Sequence, residues 1–348
     1  MSEAVVIADL VAACVEAALM ACNRIREIQA SGNLHPVEKG TGKDTITGRP
    51  MADIQTEADR QSESLIFSTL HRYYPGLCVV GEEEASGSIP VPQGMMSPRA
   101  SASQFRSDIE RVVENFPTEN SVGLSDLTVF VDPLDGTNEF VNNRLHCVSV
   151  LIGVAYKGAP LAGVIARPFP DADCMHTLLY GVVGMGAFLD HNKISQTPTP
   201  ATPYRITTTL KKSSRITDRF FELVESTIIR EGGAGWKSWL VVVGKADCYQ
   251  YARPGTKKWD ILAGDAIVTA LGGVVTDACG RRLVYSSNPS SFGNEWGIMV
   301  SLHKRMHFSV LVPASHRALV EAAADASFNH WPCGLSVPAL YTDLDSSL

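Results

Sequence analysis

The stretch that decides the fold reads Val131-Asp132-Pro133-Leu134-Asp135-Gly136-Thr137. The β-branched run 127–131 predicts a strand, and we expect Pro133 to end it because proline cannot donate to a sheet ladder. Two carboxylates three residues apart then flank the carbonyl of Leu134, with a hydroxyl beside them. Hard divalent cations bind such oxygen ligands. The stretch therefore favours a metal site, and an Asp-rich turn that caps the next helix is the alternative.

Further acidic segments stand at other predicted strand or helix ends. Gly81-Glu82-Glu83-Glu84 follows a short apolar run, where adjacent carboxylates repel one another unless a cation or solvent screens them. Asp260 opens one predicted helix and Asp53 precedes another, and each of these could be only a helix cap. Taken together, these segments predict that acidic side chains from distant parts of the chain converge on one metal-binding pocket.

Composition narrows the class of partner. The chain has 348 residues, 45% of them apolar, and a net charge of −7. An acidic chain has no general attraction for nucleic acid or anionic lipid, so we expect a small-molecule partner, no nucleic acid polymer and no membrane. The eight cysteines include no C-x-x-C pair, which favours reduced thiols inside the cell.

Targeting signals favour the cytoplasm. Acidic residues interrupt the apolar N-terminal stretch and no basic segment precedes it, so we expect neither a secretory signal nor a membrane span. The final Ser346-Ser347-Leu348 resembles the peroxisomal S-K-L address only in part, because its middle residue is not basic. A frayed polar tail is the alternative.

Hydrophobic periodicity predicts an α/β chain of two domains. A domain boundary is expected at the Thr/Pro-rich linker 197–203, which separates an α+β domain (1–199) with most of the acidic ligands from an α/β domain (200–348) with Asp260. The expected elements are helices over 7–28, 53–74, 104–115, 216–229 and 260–271, a loop over 31–50, strands over 77–80, 127–131, 147–156, 161–166, 204–208, 247–251 and 274–276, and a surface insertion over 85–125.

In order along the chain, Gly81-Glu82-Glu83, the 132–137 motif and Trp259-Asp260-Ile261-Leu262-Ala263-Gly264 resemble the inositol monophosphatase superfamily of magnesium-dependent, lithium-sensitive phosphatases. The resemblance runs from about residue 10 to 300 and is strongest to the 3′(2′),5′-bisphosphate nucleotidase branch. It implies a layered αβαβα sandwich of the inositol monophosphatase and fructose-1,6-bisphosphatase type. It also implies that the second domain supplies the nucleotide contacts, with the site between the two layers.

The resemblance also implies roles for individual residues. Two or three Mg²⁺ ions would be held by Glu82, Asp132, the Leu134 carbonyl, Asp135 and Asp260, with Glu83 behind them. Asp53 and Thr137 would orient and deprotonate the attacking water, while Asp59 is expected to cap or pair structurally. Substrate contacts are expected from Gly136, Thr209, Lys212, Ser213, Gly233 and Lys237. The family commonly has a histidine where Lys212 stands and a smaller polar residue where Trp236 stands.

The reaction implied is hydrolysis of the 3′-phosphate of adenosine 3′,5′-bisphosphate, and of 3′-phosphoadenosine 5′-phosphosulfate, by metal-activated water. Li⁺ is the expected inhibitor, and the enzyme is expected to be a monomer or homodimer. Two alternatives stay open. One is a phosphatase for inositol 1,4-bisphosphate or an inositol monophosphate, and the other is a non-catalytic regulator that binds metal or nucleotide.

Overall fold

The computed structural model describes residues 3–43, 50–83, 97–100, 102–210, 221, 225–277 and 280–303, and omits the side chains of 40–43 and 50–53. The described helices are α1 (Ile7–Ser31), α2 (Glu57–Tyr73), α3 (Arg106–Asn115), α4 (Thr137–Val141), α5 (Ala234–Val242) and α6 (Lys258–Ala270). The described strands are β1 (Ala4–Val6), β2 (Val37–Lys43), β3 (Pro50–Gln55), β4 (Cys78–Gly81), β5 (Ser121–Gly123), β6 (Leu127–Asp135), β7 (Ser149–Tyr156), β8 (Ala159–Ala166), β9 (Leu178–Val182), β10 (Gly186–Leu189), β11 (Asn192–Lys193), β12 (Tyr204–Thr209), β13 (Ser226–Glu231), β14 (Cys248–Tyr251), β15 (Val274–Thr276) and β16 (Ile298–Ser301).

The first large sheet is packed on both faces. Its strand order is β11-β10-β9-β8-β7-β6-β4, with β4 parallel to β6 and the other described neighbours antiparallel. Along β6 the apolar side chains alternate, so Val129 and Val131 pack with α1 and α2 while Phe130 packs with α5 and α6. Because both faces are covered, the strand reads as an almost continuous apolar run.

Helix α6 packs between the first sheet and a second one. The second sheet has the order β13-β12-β14-β16-β15, with β12 parallel to both neighbours. The helix approaches the first sheet at Gly153 and Gly163, where a Cβ on Gly163 would lie 2.1 Å from the Ala263 carbonyl oxygen. The described layers therefore follow the order α, β, α, β, and the predicted α/β fold class is confirmed.

The predicted domain boundary at 199/200 stays a prediction. The described strands of the first sheet lie before it and those of the second sheet after it. Helix α6, however, comes from the second segment and packs on strands β7 and β8 of the first. Among the described residues, no helix has both the length and the apolar character needed to cross a bilayer.

The predicted loop 31–50 is wrong over 37–43. That segment is strand β2, antiparallel to β3, and Asp53 lies in β3 opposite Gly40. Helix α2 begins at Glu57, so Asp53 is not its cap. The glycine and threonine residues of this segment have a weak propensity for strands and suggested a loop. Pairing with β3 nevertheless holds the segment as a strand, because such pairing outweighs local propensity.

One expectation about a strand and one about a helix are corrected. Pro133 does not end β6, which continues to Asp135. The register against β7 shifts between Asp132 and Asp135, and such an irregularity is where a strand tolerates proline. The helix expected over 216–229 is contradicted at its C-terminal end, because 226–231 forms β13, whose Thr227, Ile228 and Ile229 favour a strand.

Candidate active site

A cleft of about 240 Å³ opens where β4 and β6 end. These strands are parallel, so both carboxyl ends meet at one sheet edge, and Glu82 follows one strand while Asp132 and Asp135 end the other. The lining residues are Ile54, Glu82, Asp132, Leu134, Asp135, Gly136, Thr137, Asn138, Glu139, Thr209, Gly233, Ala234, Lys237, Tyr249, Tyr251, Thr256 and Asp260. The topology thus brings the acidic segments predicted from the sequence to one place.

Three carboxylates form the centre of this cleft. One oxygen each of Glu82, Asp132 and Asp260 lies within 4.8 Å of the other two. The backbone aims two of them, since Asp132 Oδ1 accepts the Leu134 N–H at 3.1 Å and Asp260 Oδ2 accepts the Lys257 N–H at 2.7 Å. Asp260 therefore caps α6 as its third residue, not from the N-cap position expected of a residue that opens the helix, and it is also a member of the cluster.

The cluster carries negative charge that Lys39 and Lys237 offset only in part. Burial, together with the neighbouring Glu82, Asp135 and Asp260, raises the pKa of Asp132 well above its usual range. Burial raises the pKa of Asp260 to about 7, and burial and Asp260 raise the pKa of Glu82. Like charges in a buried site require protonation or a cation.

The donor set fits a hard divalent cation. All the acidic groups present oxygen, and the described cleft walls add the Leu134 carbonyl oxygen and further oxygen atoms but no histidine or cysteine side chain. Mg²⁺ prefers this chemistry over nitrogen or sulfur donors. Glu82, Asp132 and Asp260 are thus the residues that would hold it, and the number of ions stays a prediction.

Asp135 is placed in the cleft but is already engaged. Its Oδ1 accepts the Ala234 N–H at 2.8 Å, and its Oδ2 accepts the Gly235 N–H at 2.8 Å and the Ser149 hydroxyl at 2.9 Å. These amides open α5, where the helix dipole favours a negative charge. A carboxylate oxygen has two lone pairs, so Oδ1 keeps one for a cation. Its predicted role as a ligand stays a prediction.

The structure gives Thr137 a partner that the sequence analysis did not assign to it, Asp59. Its hydroxyl donates to Asp59 Oδ1 at 2.9 Å and lies 3.1 Å from the Leu134 carbonyl oxygen. Asp59 was expected to act only structurally, and it does accept the Thr56 N–H at 2.7 Å as the third residue of α2. Its other oxygen, however, reaches the cleft through Thr137. The side chain of Asp53 lies outside the described residues, so its predicted role stays a prediction.

Sequence reasoning could have found Asp59 from its spacing. A threonine followed three residues later by an acidic residue marks a capping box, and in that arrangement the carboxylate turns back toward the helix N-terminus. Thr56 and Asp59 have this spacing. The N-terminus of α2 faces the cleft, since Asp59 in its first turn accepts the hydroxyl of Thr137, which lines the cleft.

Lys39 places a cation at the rim that the sequence analysis did not anticipate. Its Nζ lies 3.5 Å from Glu82 Oε1 and forms a closer ion pair with Glu83. Glu83 also accepts a hydrogen bond from Gln55 and does not line the cleft. Its position behind Glu82 agrees with the supporting role expected of it, which nonetheless stays a prediction.

Lys237 organises the glycine segment beside the cleft. Its buried ammonium donates to the Gly232 carbonyl at 3.2 Å, to the Gly233 carbonyl, and weakly to the Glu231 carbonyl at 3.5 Å. Gly233 has φ 58°, a left-handed conformation that favours glycine. The segment 232–235, which contains the expected substrate contact Gly233, leads directly into α5.

The predicted substrate contacts are only partly testable. Gly136, Thr209, Gly233 and Lys237 line the cleft, whereas Lys212 and Ser213 lie outside the described residues. The structure adds lining residues that the sequence analysis did not name, which are Ile54, Asn138, Glu139, Ala234, Tyr249, Tyr251 and Thr256. Tyr249 and Tyr251 are alternate residues of β14, so their side chains lie on the same face of the sheet. That spacing alone does not indicate that the face lines a pocket.

The chain is similar to known proteins in family, in sequence and in fold. The model of the inositol monophosphatase family matches residues 7–311. The 3′(2′),5′-bisphosphate nucleotidase 1 of Homo sapiens is 36% identical over 318 residues, covering 89% of this chain and 96% of its own length. The enzyme of the same name from Dictyostelium discoideum is 31% identical over 321 residues, covering 88% and 97%.

Solved structures share the fold at low identity. Inositol monophosphatase-II from Staphylococcus aureus MSSA476 has a TM-score of 0.58 and 20% identity, covering 88% of this chain and 94% of that one. The SaIMPase-II structure with inositol monophosphate bound has a TM-score of 0.59, 18% identity, and covers 90% and 96%. The SaIMPase-II structure with 2′AMP bound has a TM-score of 0.58 and 19% identity, and it covers 89% of this chain and 96% of that one. By its motifs, its fold and these matches, the chain belongs to the inositol monophosphatase family.

Proposed function

We propose that the protein is a Mg²⁺-dependent phosphatase that removes the 3′-phosphate of adenosine 3′,5′-bisphosphate, giving AMP and phosphate. The observation that carries this proposal is the convergence of Glu82, Asp132 and Asp260 beside the Thr137–Asp59 pair in one cleft. Relatives at 31% and 36% identity that carry the nucleotidase name support the choice of substrate. The sulfated analogue, 3′-phosphoadenosine 5′-phosphosulfate, carries the same 3′-phosphate and is proposed as a second substrate.

Thr137 and Asp59 would move the proton of the attacking water. Thr137 donates its own hydroxyl proton to Asp59, so its oxygen lone pairs face away from that bond and can accept a proton from water. As water passes a proton to Thr137, the Thr137 proton passes to Asp59. The water oxygen then bonds to phosphorus, the bond from phosphorus to the 3′ oxygen breaks, and solvent protonates the departing oxygen.

Bound Mg²⁺ would lower the pKa of the attacking water and offset charge on the phosphoryl oxygens. We propose two such ions, with a third and weaker one near Glu82, and Li⁺ as an inhibitor that competes for the same oxygens. Burial raises the pKa of Asp59, and hydrogen bonds from Thr56 and Thr137 oppose this. A carboxylate of raised pKa is a better proton acceptor, so the environment of Asp59 suits that step.

The test is phosphate release from a panel of substrates with and without Mg²⁺. We expect release from adenosine 3′,5′-bisphosphate, AMP as the product, and loss of activity in EDTA. Asp132→Asn should lower kcat by at least about 10³, since it removes a central ligand. Glu110→Gln is the matched control, because Glu110 is exposed and pairs only with Arg106 in the described structure. Equal turnover by the Asp132 variant and the wild type would remove the proposal.

The same panel separates the two alternatives. An inositol phosphate phosphatase would show a higher kcat/KM on inositol 1,4-bisphosphate or inositol 1-phosphate than on the nucleotide. The SaIMPase-II structure with inositol monophosphate bound gives this alternative its support. A non-catalytic regulator would bind Mg²⁺ but release phosphate from none of them. The cytoplasmic location and the monomeric or homodimeric state stay predictions.

A further inference from the structure

A second cluster of ligand-type side chains lies outside the cleft. His146 and Cys147 end the short 3₁₀ turn Leu145–Cys147 that precedes β7, and Glu231 is the last residue of β13. The three atoms His146 Nε2, Cys147 Sγ and Glu231 Oε2 lie within 4.8 Å of one another. None of these residues is among those that line the cleft.

We infer that His146, Cys147 and Glu231 form a zinc site, distinct from the magnesium-binding cleft. The atoms form a closed triangle, with 3.3 Å from Nε2 to Oε2, 3.2 Å from Nε2 to Sγ, and 3.4 Å from Sγ to Oε2. Tetrahedral Zn²⁺ with its usual bond lengths places such ligand atoms roughly 3.3–3.6 Å apart. The triangle therefore has nearly the size of one face of a zinc tetrahedron, with the fourth position left to water.

The donor types select the metal. One nitrogen, one sulfur and one oxygen atom match the ligands of Zn²⁺, whereas Mg²⁺ takes oxygen donors. The thiolate and the carboxylate carry two negative charges, which balance the divalent ion. In the metal-free protein the Cys147 thiol donates to Glu231, so binding exchanges one proton for one Zn²⁺ and forms the sulfur–zinc bond.

A catalytic cysteine dyad is the competing interpretation, and the geometry disfavours it. In such a dyad the acidic group holds one ring nitrogen while the sulfur contacts the other. Here both Cys147 Sγ and Glu231 Oε2 contact the same nitrogen, His146 Nε2. One ring nitrogen offers either one proton or one lone pair, so Nε2 cannot both take the thiol proton and donate to the carboxylate, as a catalytic dyad requires. A cation at the centre satisfies all three.

The surrounding protein holds this triangle in place and leaves it an entrance. Buried Arg167 donates to the His146 carbonyl at 3.3 Å and lies 4.3 Å from the ring centre of Trp236, against whose edge the His146 ring packs. The side chains of His146 and Glu231 are 38% and 25% exposed, so an ion can reach them from solvent. Arg167 thus holds the backbone of the site at His146, and the opposite side of the site is open to solvent.

The site would also fix a segment that lines the cleft. Glu231 directly precedes Gly232 and Gly233, and a Cβ on Gly233 would lie 2.4 Å from the Cys147 carbonyl oxygen. The same segment supplies the carbonyls that Lys237 binds and leads into the amides that hold Asp135. Zinc at this triangle would therefore hold β13 and the turn before β7 together beside the substrate.

Cobalt spectroscopy tests the inference without relying on activity. Co²⁺ is titrated into the protein in excess Mg²⁺. A thiolate-to-cobalt charge-transfer band and the intense visible bands of tetrahedral cobalt are expected at one ion per chain. Cobalt in the cleft has only oxygen ligands and gives no thiolate band. Zn²⁺ should then displace the band, because it binds such sites more tightly than Co²⁺.

Cys147→Ser should abolish the thiolate band, whereas Cys78→Ser should retain it, because Cys78 is an exposed free cysteine elsewhere in the structure. His146→Gln and Glu231→Gln alter the more exposed ligands and should each weaken cobalt binding by at least about tenfold. These two variants decide the question if Cys147→Ser fails to fold. Absence of the band in the wild type, its survival in the Cys147 variant, or unchanged affinity in both other variants would overturn the inference.

Discussion

Asp59→Asn tests the proposed proton path from water through Thr137 to Asp59, with Asp53→Asn as its matched comparison. Asp59 is 1% exposed and accepts hydrogen bonds from the Thr56 N–H, the Thr56 hydroxyl and the Thr137 hydroxyl. Asparagine has nearly the same shape but is far too weak a base to take the relayed proton. Asp53 lies in β3 and is the residue to which the resemblance assigned this role; its side chain lies outside the described residues.

The expected size of the effect follows from the role. Loss of a positioned proton acceptor lowers rates by about 10²–10⁴, which corresponds to about 3–5 kcal/mol in the activation barrier at 1.36 kcal/mol per tenfold. The loss should fall on kcat rather than KM, because Asp59 does not line the cleft. We expect Asp53→Asn to lower kcat by less than about tenfold.

Stability must be separated from catalysis in this comparison. The asparagine amide cannot accept all three hydrogen bonds, and a buried unpaired donor costs about 1–3 kcal/mol. Thermal denaturation of both variants, and kinetics well below their melting temperatures, control for this loss.

A double variant adds a second test. Thr137→Ala combined with Asp59→Asn should be no slower than the slower single variant, since residues that act as a unit are not additive. A kcat above a tenth of wild type for Asp59→Asn, or an equal fall for Asp53→Asn, would refute the assignment.

Three further predictions concern charge and packing. Burial and mutual repulsion raise the pKa of Asp132 and Glu82 and bring that of Asp260 to about 7, so the folded metal-free protein binds more protons than the unfolded chain between about pH 4 and 7. Its unfolding free energy should fall as pH rises through this window, and Mg²⁺ should reduce this dependence on pH. Urea unfolding in EDTA that gives the same free energy at every pH would contradict the prediction. Lys237→Met leaves the Gly232 and Gly233 carbonyls without their donor and should cost about 1–3 kcal/mol of stability and lower kcat/KM. Wild-type values in calorimetry and in the phosphate assay would count against it. Gly163→Ala places a Cβ 2.1 Å from the Ala263 carbonyl oxygen and should lower the free energy of unfolding by about 1–3 kcal/mol. An unchanged melting temperature would contradict this, because it would mean that α6 can shift away from the sheet without loss of stability.

Local patterns were sufficient to predict the main helices and the acidic strand ends. Helix α1 follows from apolar residues at steps of three and four, and the structure has it over Ile7–Ser31. Strand β6 follows from a β-branched run, and Asp132 stands beside a proline near its end. Because β4 and β6 are parallel neighbours, the two strand-end acidic segments meet. The spacing of apolar residues along the chain predicts these helices and strands, because it reflects the periodicity of each element.

Side-chain partners from distant segments could not be obtained in that way. Asp53 and Asp59 both stand near the start of a helix in the sequence, and only the packing of α2 against β6 brings Asp59 to Thr137, which lies 78 residues further along. Glu231 meets His146 across 85 residues for a similar reason, because Glu231 ends β13 of the second sheet and His146 lies in the turn that precedes β7 of the first. Periodicity specifies which face of an element is buried, but contact between two elements depends on how the sheets and helices pack, and that packing is a property of the whole chain.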